Sequence, residues 1–306
     1  TKINRLPLNI VSGGTFAWIT DNSLLYKATV ASALKPEKPL APTGPVVQES
    51  LGKKAAARTY QDLIKSGYDE ALFEYYAKSQ LVFTDFTTET SLGEPSIIKS
   101  FSLSPDNNYL LLQTIEKPFS YTVPAGEFPH TVKVTDLKGN LVWLIATNPS
   151  SEGVPIGFDD APDYPRYFSW RNDEPATVTY IKALDGGLGK SKSKWRDAMM
   201  AVKIDPANPA TPAVELFKTT MRFAGVTWGD QNLAVFYEES YANRKFQMNR
   251  YIPATGKSDS LYARSSNDSY SDIGSPLTQK NKYGRQTLVV LNGKELLLSA
   301  DGASDQ

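Results

Sequence analysis

Four times along this chain an aromatic residue opens a β-prone run, an aspartate sits in a turn, and an apolar run follows. The copies read FAWITDNSLLYKA from Phe16, FSLSPDNNYLLLQT from Phe101, FSWRNDEPATVTYI from Phe168 and RFAGVTWGDQNLAVFYEE from Arg222 to Glu239. Period-two apolar runs on either side of a Gly/Asp/Asn cluster are the local mark of a β-hairpin. Recurrence constrains the fold further, because units that cannot bury a hydrophobic face alone must stack on one another. Asp21, Asp106, Asp173 and Asp230 hold the equivalent turn position and lie 85, 67 and 57 residues apart. A propeller blade takes roughly 40–50 residues, so these units must carry insertions.

A second hairpin follows each aromatic one, as in TVKVTDLKGNLVWLI from Thr131, MMAVKIDPANPATPAVELFK from Met199, and the segment around PATGK between Phe246 and Ala263. Four antiparallel strands per unit is the composition of a blade. The sequence thus predicts an all-β chain, a partial β-propeller of four to five blades. Its units span about 9–95, 97–146, 166–218 and 222–263, with an incomplete unit at 270–306. The first holds a helical insertion at 57–79, in which Thr59–Ser66 and Tyr68–Lys78 place Leu63/Ile64 and Leu72/Phe73/Tyr76 at helical spacing. Gly67 is expected to break the two helices. Lys35–Pro45 holds four prolines and reads as an extended linker.

Composition excludes several functions. Lys plus Arg number 33 against 33 Asp plus Glu, so there is no basic excess for binding nucleic acid. No apolar run approaches the roughly 20 residues of a membrane helix. The absence of cysteine removes disulfides and thiolate catalysis, and a lone histidine, His130, removes a multi-histidine metal site. No cofactor or metal ligand is therefore assigned. Thr1 is not an initiator methionine and the chain ends in SADGASDQ; both lead to the expectation of a piece of a longer protein.

Single residues add little chemistry. Trp18, Trp170 and Trp228 occupy matching hairpin positions and are expected to be buried between blades; a sugar-stacking role would require them to face solvent. His130 enters a strand with no nucleophile near it in sequence and is expected at a surface or edge. Gly225–Gly229 matches G-x-S-x-G in letters only, being inside a hairpin with Thr at the centre. DGGLGKSKSK, from Asp185 to Lys194, departs from the phosphate-loop pattern and reads as a flexible connection. Asp159, Asp160 and Asp163 lie among prolines and read as a solvated turn.

Longer segments carry a specific resemblance. RTYQDLIKSGYDEALFEYYAKSQLV (Arg58–Val82), KPFSYTVPAGEFPHTVKV (Lys117–Val134), VPIGFDDAPDYPRYFSWRNDEPATVTYIKALDGG (Val154–Gly187), ELFKTTMRFAGVTWGDQNLAVFYEESYANRK (Glu215–Lys245) and RSSNDSYSDIGSP (Arg264–Pro276) resemble the prolyl oligopeptidase family of serine peptidases. They are most similar to its glutamyl endopeptidase-like group, found in plastids and bacteria.

The resemblance implies a propeller of about seven blades capping a C-terminal α/β-hydrolase domain that holds the catalytic Ser, Asp and His. No position here matches that catalytic motif, so no catalytic residue is assigned. It also implies peptide substrates, and a soluble protein of bacterial cytoplasm, periplasm or plastid. The propeller would gate peptide access to the hydrolase domain. The alternative is a non-catalytic propeller that binds a protein or peptide partner. A glutamyl preference needs a basic pocket, for which Arg166, Arg171, Arg222, Arg244 and Arg250 are the candidates.

Overall fold

The computed structural model describes residues 6–30, 34–40, 60–208, 211–293 and 295–300. Residues 41–45 of the predicted linker and 57–59 of the predicted helical insertion lie outside them. The chain divides into two compact units, Thr1–Gly153 and Val154–Gln306.

The first unit is one antiparallel sheet whose strands pair strictly in chain order: β1 (Phe16–Thr20), β2 (Ser23–Thr29), β3 (Lys78–Thr84), β4 (Glu89–Leu103), β5 (Tyr109–Ile115), β6 (His130–Asp136) and β7 (Leu141–Asn148). Strand β4 spans 15 residues and belongs to two meanders at once, pairing with β3 and with β5. Between Ser79↔Ser96 and Leu81↔Leu92 its register jumps, leaving Gly93, Glu94 and Pro95 opposite Gln80 alone. The Gln80 amide fills this bulge, donating to the carbonyls of Leu92 and Gly93 at 3.1 Å each. Pro95, which has no N–H to give, is tolerated because the ladder is already interrupted there.

Two apolar clusters hold this unit together. One joins Leu25, Leu81, Leu92, Ile98, Leu103, Leu110 and Leu112. The other gathers Ile97, Ile115, Phe119 and Phe128 beneath α1 (Gly67–Ala77), with Phe73 edge-on to Phe119 at 5.0 Å. The predicted insertion is shorter than expected: residues 60–66 are not helical. The reason is local. Ser66 is an N-cap in extended conformation whose hydroxyl accepts from Asp69 N, while the Asp69 carboxylate accepts from Lys65 N. This reciprocal cap requires a non-helical chain at 65–66, so Gly67 opens the helix and breaks nothing.

In the second unit two four-stranded antiparallel sheets follow the same meander. The first contains β8 (Arg166–Trp170), β9 (Thr177–Ala183), β10 (Asp197–Lys203) and β11 (Val214–Thr219); the second contains β12 (Arg222–Trp228), β13 (Ala234–Ser240), β14 (Lys245–Ile252) and β15 (Lys257–Ser265). They share a core of Ile181, Met199, Phe217, Trp228, Phe236 and Tyr251, with Phe217 stacked on Phe236 at 4.0 Å. Three two-stranded ladders between Ser275 and Ser299 complete it. The β8–β9 turn is tied to them: Asn172 donates to Gln286 O, and Asn281 donates to Asn172 O. Repeated sheets in which successive strands are neighbours make this an all-β fold of the partial propeller type.

Burial corrects two expectations. Trp170 and Trp228 are 7% and 3% exposed, but Trp18 is 54% exposed. Trp18 lies on β1, the outermost strand of its sheet, and meets Phe86 edge-on. His130 is buried rather than at a surface, because β6 runs between β5 and β7. Its Nδ1 pairs with Phe128 O and its Nε2 with the Asn148 amide. Burial pushes the imidazole below its ordinary pKa, against the carbonyl contact that favours the charged form.

Candidate functional site

The polar centre of the second unit is built from the ends of strands. Asp197 opens β10, Arg222 opens β12, and Asp185 and Arg196 bracket the β9–β10 connection. The carboxylates of Asp185 and Asp197 are fully shielded from solvent. Arg222 reaches Asp185 at 2.8 Å and Asp197 at 3.1 Å; Arg196 adds a second bond to Asp185, and Arg166 a second to Asp197. Burial by itself would raise the Asp185 pKa, but hydrogen bonds from Arg222 and Arg196 outweigh it and hold the carboxyl below the ordinary aspartate value.

The segment read as a flexible loop is part of this cluster. Gly187 N donates to Asp185, Gly187 O accepts from Ala161 N, and Arg196 donates to the carbonyls of Leu188 and Gly189. Gly187 has φ +73, and a Cβ there would stand 2.0 Å from Ala161 O, so glycine is required for this packing. The acidic turn is likewise structural. Asp159, at φ +63, accepts from Ser240 Oγ and Tyr241 N at 2.7 Å each, and its own carbonyl accepts from Arg222 Nε. Asp160 accepts from Gly189 N. Asp163 alone of the three is exposed. No cluster among the described residues could hold a metal ion.

Four of the five candidate arginines are neutralised by carboxylates. Arg166 and Arg222 belong to the cluster above, Arg171 pairs with Asp173 and Glu174 while lying 4.5 Å over the Trp228 ring, and Arg250 pairs with Asp259 at the surface. Arg244 is the exception. It is in no ion pair among the described residues, and its guanidinium sits 3.9 Å over Tyr241. Together with Lys245 and Arg264 it lines an open groove of about 580 Å³, to which the half-buried Phe246 and Met221 and the exposed Thr220 also contribute. Lys245 and Arg264 were not singled out in the sequence. Adjacency to Arg244 at the end of the β13–β14 turn was the signal available for Lys245, which opens β14; Arg264 arrives through the β14–β15 register, opposite Phe246.

The arrangement can bind an anion and holds no assembled nucleophile. No family model matches the chain. A rice protein (Oryza sativa subsp. japonica) described as "Probable glutamyl endopeptidase, chloroplastic" is 33% identical over 303 residues, which are 95% of this chain and 32% of the relative. Its Arabidopsis thaliana counterpart is 34% identical over 305 residues, again 95% of this chain, and 31% of the relative. Over nearly its whole length the chain is thus similar to proteins described as glutamyl endopeptidases. It spans about a third of the length of these relatives.

Among solved structures the chain is similar to a Pyrococcus horikoshii acylaminoacyl peptidase, with 14% identity, coverage of 60% of this chain and 28% of that one, and a TM-score of 0.35. It is also similar to an oligogalacturonate lyase, with 11% identity, coverage of 62% and 51%, and a TM-score of 0.39. At these scores the likenesses bear on neither activity nor ligand.

Proposed function

We propose that this chain is the propeller portion of a serine peptidase and controls which peptides reach a hydrolase domain carried elsewhere in the protein. The observation that carries the reading is 33% identity across 95% of the chain to a relative three times longer whose name states a glutamyl endopeptidase activity. The described residues are mostly antiparallel strands with one α-helix, which supports assigning a strand-to-helix nucleophile elbow to another part of the protein. A stack of blades restricts passage to short or unfolded chains, which would then be cut by acyl transfer from a histidine-activated hydroxyl. Cleavage after glutamate follows from the relatives' name and is part of the same proposal.

The test is a comparison of two polypeptides. The 306 residues alone are expected to give no turnover of glutamate-containing peptides. The longer product of the same reading frame is expected to cleave short peptides and spare a folded protein of the same composition. Turnover by the 306 residues alone, or flanking sequence lacking a Ser nucleophile with its Asp and His, overturns the reading.

A further inference from the structure

We propose that the groove beside the β13–β14 turn binds a side-chain carboxylate of an extended peptide, and that Arg244 and Lys245 are the residues that read its charge. This deepens the peptide-handling reading above and rests on it for the class of ligand.

Charge is the first observation. Arg244 and Lys245 line the groove and neither is in an ion pair among the described residues. The third cation, Arg264, is only partly matched. It gives Nη2 to Asp272 and Nη1 to the carbonyls of Ser265 and Asp268, while its buried Nε has no hydrogen-bond partner. Of the two neighbouring acids, Glu238 is spoken for, since Thr220 N, Met221 N, Thr220 Oγ1 and the Asn249 amide all donate to it; Glu239, exposed and opposite Phe246 in the β13–β14 register, offsets one of the three cations. The groove is therefore a concave surface with positive charge in excess, which favours an anionic guest.

Preorganisation is the second. Arg244 adopts φ +51, a left-handed conformation unusual for a long side chain. The turn that imposes it is fixed from below, since Asp159 accepts from Ser240 and Tyr241, and Ser240 Oγ accepts from Asn243 N and Nδ2. Tyr241 carries Arg244 over its ring and meets Phe158 at a tilt, with ring centroids 4.8 Å apart. The backbone that carries the cation is set before any ligand arrives, which lowers the ordering cost of binding.

The apolar lining decides between guests. Phe246 and Met221 offer apolar surface, and Arg264 lies 5.3 Å from the Phe246 ring. A bare inorganic anion gains nothing from such a lining. A carboxylate on a hydrocarbon stem uses both parts, with methylenes on the ring and oxygens towards the cations.

The experiment uses the 306-residue chain and a rhodamine-labelled pentapeptide, blocked at both ends, with a central glutamate flanked by phenylalanines, followed by fluorescence anisotropy. Its glutamine twin is the reference. The glutamate peptide is expected to bind about fivefold to tenfold more tightly at low salt, falling below about twofold at high salt, as exposed ion pairs do. The R244Q/K245Q variant is expected to lose this preference with an unchanged circular dichroism spectrum, while K192Q/K194Q, which removes equal charge elsewhere, keeps it. Equal affinity for the two peptides, preference retained in R244Q/K245Q, or competition by inorganic phosphate as strong as by glutarate overturns the proposal. Those results leave the peptidase reading to its own test, which rests on turnover and flanking sequence rather than on equilibrium binding.

Discussion

Arg222 faces Asp185 side by side, Nη1 to Oδ1 at 3.0 Å and Nη2 to Oδ2 at 2.8 Å, although the two are 37 positions apart in the chain. Arg222 belongs to the β12–β15 sheet; Asp185 and Asp197 belong to the β8–β11 sheet with their other partners, Arg196 and Arg166. The bidentate contact is thus the charged link between two neighbouring sheets. Removing Arg222 leaves two fully shielded carboxylates with one cation each.

Breaking a buried pair at one partner costs about 3–5 kcal/mol, and the surviving arginines place Arg222→Met near the lower end. Urea unfolding followed by tryptophan fluorescence checks this. A loss below about 1 kcal/mol, the size of an exposed pair, would show the cluster to be solvated. Asp185→Asn in the Arg222→Met background is expected to recover part of the loss, because it removes a charge that the first substitution left half-matched.

The pH dependence separates two groups. His130 is the one histidine of the chain, and burial lowers its pKa in the folded state. The unfolded chain takes up a proton near the ordinary value of about 6.5 while the folded chain does not. Stability is therefore full above about pH 6.5 and declines as pH falls towards the folded pKa. His130→Phe is expected to flatten the unfolding midpoint between pH 7.5 and 5.5. Asp185 acts lower: its depressed pKa contributes stability above about pH 4 that disappears as pH falls through the folded value. An unchanged slope in His130→Phe would place the imidazole in solvent.

Equivalent tryptophans should behave unequally. Trp228 is buried beneath Arg171 and packs in the shared core, so Trp228→Ala is expected to cost about 3–5 kcal/mol. Trp18→Ala is expected to cost less than about 1 kcal/mol, as at ordinary surface positions. Acrylamide quenching provides a second readout, since the strongly quenched component is expected to fall in Trp18→Phe and persist in Trp228→Phe.

The β6–β7 turn tests the bulge in β4. A Cβ on Gly139, at φ +88, would lie 2.2 Å from Gly93 N, whereas one on Gly93 would meet Gly139 only at 3.6 Å. Both substitutions to alanine incur about 1–3 kcal/mol of left-handed strain. Only Gly139→Ala must also displace backbone, so it is expected to destabilise more in the same urea assay. Equal losses would mean that the turn stands clear of the bulge.

Sequence alone carried the strand content, the order of the hairpins and the likeness to glutamyl endopeptidases, because side-chain alternation, turn residues and long matching segments are local records. It also marked Arg244, though among four arginines that turned out to be neutralised. The partners of a charge are another matter. Asp185 reads as part of a glycine-rich loop until the β9–β10 connection brings it to Arg222, and Arg264 joins the groove only through its register opposite Phe246. Trp18 and Trp228 sit in the same local phrase, yet one faces solvent on an outer strand and the other lies under a neighbouring sheet's arginine. Burial and ion pairing depend on residues far away in the chain, so tertiary packing decided which aromatic is core and which cation is free to meet a ligand.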